Sequence, residues 1–169
     1  MKIIRWCFGC FGIVMIIIYC NLMLISGHCE QIKDISGTTI KLPFYPKRIV
    51  SLAPSITECL FAIGAGDRVV GVTQFSNYPQ EVKRLPKVGS YIYPSIEKIL
   101  SLKPDLILAT KDGNPRHIVL KLRNIGIKVF VVDPRDIHSL FSTMLVLGKL
   151  VGCEKKGQIN GGQIKKRSR

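Results

Sequence analysis

The side chains of this sequence with an aptitude for chemistry fall into a few groups, and most are quickly assigned to ordinary structure. Gly64-Ala65-Gly66 resembles the start of a dinucleotide-binding turn, but it follows a helical stretch instead of a strand, and Val69 stands where the third glycine belongs. His117 and His138 fall on separate predicted helices with no carboxylate or thiol at ligand spacing, which reads as surface histidine. Cys7-x-x-Cys10 lies inside an apolar run, where redox or metal chemistry is the poorer reading. Neither phosphate-loop nor nucleophile-elbow spacing occurs, so an enzyme is not supported. What remains is a set of aromatics, Phe75, Tyr78, Tyr91 and Tyr93. They are flat enough to wall a large planar ligand, or else they pack down on the elements beneath them.

Those aromatics fall between elements that the pattern of apolar residues defines. Arg48 to Ala53, Val69 to Thr73, Leu106 to Ala109 and Ile127 to Val132 read as buried strands. Helical segments alternate with them. Ser55-x-x-Glu58 has the form of a capping box opening a helix that stops at Gly64. A brief helix is expected around Glu81 to Arg84, and Ser95 caps another whose Ile96, Ile99, Leu100 and Leu102 turn inward. Asn114-Pro115 reads as an N-cap with proline at the first helical position, and that helix stops at Gly126. Asp136-x-x-Ser139 opens a long amphipathic helix to about Val151. Ile32 to Leu42, with Ser36-Gly37 at its middle, reads as a small hairpin.

Such alternation calls for parallel strands joined by right-handed crossovers. The expected fold class is α/β: a single open, mainly parallel four-stranded sheet with helices on both faces, preceded by a signal or anchor helix and a small hairpin. In such a sheet ligands lie outside the carboxyl ends of the strands. The loops there hold Pro54-Ser55, Gln74 to Tyr78, Gly89 to Tyr93, Asp112 to Asn114 and Asp133-Pro134.

Composition sets the outer limits. The 169 residues are 47% hydrophobic and carry a formal net charge of +14, which excludes a disordered polar tail and a disulfide miniprotein. At this length roughly two-thirds of the unfolded chain's surface can be buried, enough for one domain. Lys and Arg fall singly or in pairs between apolar residues without interleaved aromatics, so the charge reads as a solvated surface and no nucleic-acid partner is expected. In the body only Cys59 and Cys153 remain; a disulfide is open to them, though Cys59 in its apolar helix reads as a buried thiol.

Residues 1–29 carry a different instruction. After Lys2 and Arg5, Trp6 to Gly27 has no charge and is apolar enough to enter a bilayer, with its cations on the cytoplasmic side. The body from Glu30 is therefore expected in the periplasm or at the cell surface. The end of the run, Leu24-Ile-Ser-Gly-His-Cys29, is similar to a bacterial lipoprotein signal, with His28 where a small residue belongs. Lipidation at Cys29, cleavage near Gly27 and an uncleaved membrane anchor all stay open.

Several segments in order show a resemblance. Pro46-Lys-Arg-Ile-Val-Ser-Leu-Ala-Pro-Ser-Ile-Thr-Glu58, Gly64-Ala-Gly-Asp-Arg-Val-Val-Gly-Val72, Ser76-Asn-Tyr-Pro79, Leu85-Pro-Lys-Val-Gly89, Ser95-Ile-Glu-Lys-Ile99 and Lys103-Pro-Asp-Leu-Ile107 resemble the N-terminal lobe of periplasmic substrate-binding proteins of the cobalamin and iron-siderophore ABC importers. Asp112-Gly-Asn114 and Gly126-Ile-Lys-Val129 are most similar to the cobalamin-binding branch. The resemblance implies an exported, non-catalytic protein that captures cobalamin as cargo, with no resident cofactor or metal, and hands it to a permease. By position it implies that Pro54, Ser55 and nearby amides meet ligand edges, that Phe75 and Tyr91 stack on the ligand, and that Glu97 faces permease arginines. Ferric siderophore or haem is the alternative cargo. A membrane-tethered fragment without transport function and an α/β enzyme are the readings from other classes.

The resemblance covers residues from about 34 to 152, and the expected division is a signal or anchor over 1–29, the lobe over 30–152 with the start of a connecting helix, and a disordered basic tail over 153–169. The family continues into a second lobe where this sequence runs into Gly157-Gln-Ile-Asn-Gly-Gly-Gln-Ile-Lys-Lys-Arg-Ser-Arg169, so a truncated product is expected, with an apolar stripe of the last helix left exposed.

Overall fold

The computed structural model describes residues 30–159; the expected signal segment, with its three outcomes, and the last ten residues lie outside them. A two-stranded antiparallel hairpin, β1 (Glu30–Lys33) and β2 (Thr39–Leu42), precedes a four-stranded sheet. That sheet comprises β3 (Ile49–Ser51), β4 (Val69–Val72), β5 (Leu106–Thr110) and β6 (Val129–Val132), all parallel, in the order β4-β3-β5-β6. The helices are α1 (Pro54–Ala62), α2 (Ile96–Ser101), α3 (Arg116–Asn124) and α4 (Ile137–Leu150), with 3-10 turns at Gly66–Arg68 and Gln80–Arg84.

Every residue of β5 and β6 is buried, as an apolar strand covered on both faces must be. Alternation along the strands divides the core in two. Ile49, Leu106, Leu108, Phe130 and Val132 pack with Ile56 and Leu60 of α1 and Met144 and Leu147 of α4. Val50, Ile107, Ala109, Val129 and Val131 pack with Ile99 of α2 and with Val119 and Leu122 of α3. Burying each such aliphatic side chain is worth about 1.5–3 kcal/mol, and the two layers fix the strand ends from which the loops emerge. Leu100, expected to face inward, is exposed on the outer side of α2. On a six-residue helix the inward stripe has room for Ile99 with Ile96 and Leu102 half-covered beside it.

The hairpin guards an open edge. Ile35 N–H donates to Val131 O at 3.3 Å, and the buried Asp34 carboxylate accepts from Val131 N at 3.1 Å and Thr38 N at 2.9 Å. Arg123 of α3 pairs with the same carboxylate and also reaches Ser36, Thr38 and Val129 O. A short edge strand is thereby covered instead of left to pair with another chain.

The capping box of α4 forms as expected, with Asp136 Oδ1 accepting from Ser139 N at 2.7 Å and the Ser139 hydroxyl answering the Asp136 amide. Its expected apolar stripe is modest, since Phe141, Met144, Leu147 and Leu150 are buried and the exposed members are Ile137 and Leu145.

The disorder expected from residue 153 is corrected for its first part: residues 154–159 are helical. Gly152 turns the chain at φ +69°, Cys153 N–H donates to Gly148 O at 2.7 Å, and a Cβ on Gly157 would stand 3.1 Å from Met144 O. Close backbone packing between Gly148 and Gly157 orders this turn, and a hydropathy pattern has no means of showing it. No helix among the described residues is long and apolar enough to cross a membrane.

Candidate functional site

The strand order creates the site's location. From β3 the chain crosses to β4 on one side, whereas from β5 it crosses to β6 on the other, so the loops that leave the carboxyl ends of β3 and β5 part company there, at the switch point of the sheet. Three segments converge there: the first turn of α1, the loop Gly89 to Pro94, and the loop Lys111 to Asn114.

Asn114 ties them together. It is 5% exposed; its Oδ1 accepts from Thr110 N at the end of β5 (2.7 Å), and its Nδ2 donates to Leu52 O beyond β3 (3.0 Å) and to Tyr91 O (2.7 Å). The sequence reading of Asn114 as a helix cap is therefore corrected. Pro115 occupies the N-cap position of α3 without a side-chain cap, and the Asn114 amide is drawn inward because two carbonyls and an amide at the diverging strand ends need partners. Gly113 completes the arrangement, since its missing side chain leaves room for the Tyr91 ring.

The Tyr91 loop is pinched at its base. Gly89 pairs with Pro94, and Gly89 adopts φ +109° with its α-carbon so close to Tyr93 O that a Cβ would stand 2.6 Å away. Tyr93 N–H donates to Ser90 Oγ at 2.8 Å. Tyr91 is half-buried against Gly113, while Ile92 and Tyr93 project outward, Tyr93 being 81% exposed.

On the β3–β4 side, α1 begins two residues earlier than the capping-box pattern implies. Pro54 starts the helix after an extended Ala53 (φ −151°), and no side chain caps it. The first intrahelical bond runs from Thr57 N to Ala53 O, so the amides of Ser55 and Ile56 precede it, and the Ser55 side chain is exposed. Proline's fixed φ sets the start, which is why the Ser55–Glu58 spacing is overridden.

A buried hydroxyl cluster then couples this helix to the Phe75 loop. Thr57 Oγ1 donates to Ser51 Oγ at 2.9 Å and also lies 3.3 Å from Ser76 Oγ, which is 2.9 Å from Thr73 Oγ1. Lys87 Nζ donates to Ser76 O (2.8 Å) and Val82 O (3.1 Å), and burial lowers its pKa. Held from below in this way, the loop presents Phe75, 59% exposed, and Tyr78, which precedes the cis-Pro79. Of the two readings open for the aromatics, packing down on the sheet fails for Phe75, Tyr78 and Tyr93 and applies in part to Tyr91.

At the β5–β6 rim, Arg135 bridges two carboxylates, Asp133 at 2.8 Å and Asp112 at 3.0 Å; the hydrogen bond to Asp133, then the charges of both, raise its pKa. Glu97 stands in the first turn of α2, where Ser95 Oγ accepts from Lys98 N at 3.3 Å, and its exposed side chain makes no bond to a described residue. Pro54, Ser55, Phe75 and Tyr91 thus share one end of the sheet, and Glu97 follows the Tyr91 loop by one helical turn. Sequence reasoning missed Asn114 as a clamp, Thr57 and Lys87 as loop supports, and the Arg135 bridge. The Asp112-Gly-Asn114 turn signal was the one trace of the first. Among the described residues no group of His, Cys, Asp and Glu is arranged to hold a metal, and both histidines are exposed.

Comparison with known proteins places this geometry. The family model described as "Periplasmic binding protein" matches residues 49–167, more than half of the chain. The chain belongs to this family. It is 40% identical over 128 residues to an uncharacterized ABC transporter substrate-binding lipoprotein of Bacillus subtilis (strain 168), a match covering 74% of this chain and 40% of the relative. It is 43% identical over 98 residues to the vitamin B12-binding protein of Yersinia pestis (strain Pestoides F), covering 58% of this chain and 35% of that one. Among solved structures, the periplasmic vitamin B12 binding protein of Vibrio cholerae superposes with a TM-score of 0.68 at 34% identity, covering 72% of this chain and 48% of that one. A periplasmic heme binding protein from Pseudomonas aeruginosa gives 0.69 at 29% identity, covering 72% and 44%. The chain therefore spans well under half the length of these curated relatives.

Proposed function

We propose that this chain supplies one lobe of the substrate-binding component of an ABC importer, acting outside the inner membrane and binding cobalamin or a related corrinoid without transforming it. The observation that carries the reading is the aromatic rim at the switch point: Phe75 and Tyr91 are offered from two loops that buried polar groups hold in place. A large planar ligand laid on that rim gains stacking and apolar contact, and its polar edges meet the Ser55 hydroxyl and the amides that open α1 beside Pro54. The vitamin B12-binding relatives support cobalamin as the cargo.

Glu97 is the residue we assign to the permease. Its carboxylate stands free on a short helix beside the rim, and pairing with cations of a partner is the use such a group offers. The apolar run before Glu30 and the lipoprotein relative support tethering at the outer surface of the membrane.

A second reading, haem or a ferric chelate as cargo, is favoured by the heme-binding structural neighbour and by the tyrosine hydroxyls on the rim, which are hard oxygen donors for ferric iron. Equilibrium dialysis of the full chain against cyanocobalamin and, separately, haemin decides between them. Retention of cyanocobalamin in preference to haemin supports the first reading, retention of haemin alone transfers the function to the second, and retention of neither contradicts both.

A further inference from the structure

One cavity, which lies behind the Asn114 clamp of the Tyr91 loop, is put to no use by the importer reading. It lies between α3 and the turn that closes the β1–β2 hairpin and has a volume of about 620 Å³, within the range of small-molecule sites. Ile35, Val119, Leu120 and Val131 give it apolar surface, and Lys111 and Arg116 give it positive charge.

The state of the cations decides what the cavity wants. Arg123 also lines it, but its guanidinium is fully engaged by Asp34, Ser36, Thr38 and Val129 O. The side chains of Lys111 and Arg116 make no hydrogen bond or ion pair with a described residue, and no carboxylate lines the cavity beside them. Of the apolar members, Ile35 and Leu120 are left wet, 55% and 42% exposed, over the buried Val119 and Val131 that form the floor. The Arg123 clamp fastens the hairpin turn to α3, so the cavity exists before any ligand arrives, and little ordering cost falls on binding.

We infer that this cavity is a second ligand site, for an anionic amphiphile: a phosphate or carboxylate group between Lys111 and Arg116, with its hydrocarbon against Ile35, Val119, Leu120 and Val131. A membrane phospholipid and a soluble acyl or alkyl phosphate present the same chemistry. Thr110 and Asn114, which hold the Tyr91 loop, also line the cavity, but none of the residues assigned to the amphiphile belongs to the aromatic rim.

The test follows methyl NMR signals of Val119, Leu120 and Val131 in the full chain, so that association with the apolar N-terminal run is not counted. The probes are octyl phosphate, inorganic phosphate, octyltrimethylammonium, and vesicles of phosphatidylglycerol in phosphatidylcholine. Saturable shifts with octyl phosphate, weakened about tenfold in the Lys111→Gln/Arg116→Gln double variant, support the site, since two exposed charge pairs together contribute about that factor. Shifts of the same methyls by the vesicles as well assign the ligand to lipid; shifts by octyl phosphate alone assign it to a soluble compound. No shift, an equal response to octyltrimethylammonium, inorganic phosphate binding as tightly as octyl phosphate, or undiminished binding by the double variant overturns it. Cyanocobalamin retention by Arg116→Gln alone, a change on α3 outside the loops of the rim, is expected to match wild type, which keeps failure of this site distinct from failure of the importer reading.

Discussion

The ring of Tyr91 lies so close to the backbone of Gly113 that a methyl group added to Gly113 would come within 1.8 Å of Tyr91 Cε2. That single contact joins the aromatic loop to the loop that ends β5, and it makes the placement of Tyr91 depend on the absence of a side chain two loops away.

Gly113→Ala is therefore expected to expel the Tyr91 ring from its place. Overpacking of this kind costs about 1–3 kcal/mol, and cyanocobalamin affinity should fall about tenfold, or ~1.4 kcal/mol. Thermal unfolding and calorimetric titration of the variant check the two effects. An unchanged affinity would show that Tyr91 does not stack on the ligand.

Asn114→Ala removes the acceptor for Thr110 N and the donor to Leu52 O and Tyr91 O at one stroke. Leaving such buried backbone groups unmade costs about 1–3 kcal/mol each, so a loss of ~3 kcal/mol or more is expected in urea unfolding. Asn114→Asp keeps the acceptor but turns an ionised oxygen toward the Leu52 and Tyr91 carbonyls, so at pH 7 it should be at least as damaging as Ala and should recover in part at lower pH as the buried carboxyl is protonated.

Thr57→Val keeps the shape of the side chain and deletes the hydroxyl at the centre of the Ser51–Thr57–Ser76 cluster. A loss of about 1–2 kcal/mol is expected, together with faster amide exchange at Ser76 and Val82, whose amides close the turns of the Phe75 loop. Exchange unchanged at those amides would mean that the hydroxyl cluster does not hold the loop.

Cys59 provides a pH signature. Burial, and secondarily the neighbouring Glu58 carboxylate, push its thiol from 9.0 up to about 11. Folding therefore favours the neutral thiol: its contribution, about 3 kcal/mol by linkage, is complete below pH 9 and is lost as pH rises through about 11. The stability of Cys59→Ala relative to wild type, followed from pH 8 to 11.5, should rise over that window. Alkylation at neutral pH should reach half-exposed Cys153 well before Cys59.

The layers of this lobe were legible because they rest on patterns that sequence carries directly: four buried apolar runs, helix periods between them, and stops at Gly64 and Gly126, both of which adopt positive φ. The hairpin was legible for the same reason, with Ile40 and Leu42 inward and Thr39 and Lys41 outward. The failures are of another kind. At Ser55 and Asn114 a local capping rule was outweighed, in one case by the fixed dihedral of Pro54 and in the other by unpaired backbone groups brought together from residues 52, 91 and 110. Helix over 154–159 depends on the approach of Gly157 to the last turns of α4, a contact between backbones. Residues such as Thr57 and Lys87 carry no motif at all, and their value to the Phe75 loop exists only once β3, β4 and α1 are packed.

The most direct test is calorimetric titration of cyanocobalamin into the full chain and into its Phe75→Ala variant. Phe75 is exposed, so its truncation should leave the melting temperature within about 1 °C of wild type while removing one stacking wall. Saturable binding with one site per chain, weakened about tenfold in the variant, is the expected result. Binding absent from the wild-type chain at millimolar cyanocobalamin, or equally strong without Phe75, would contradict the assignment of the aromatic rim as the ligand site.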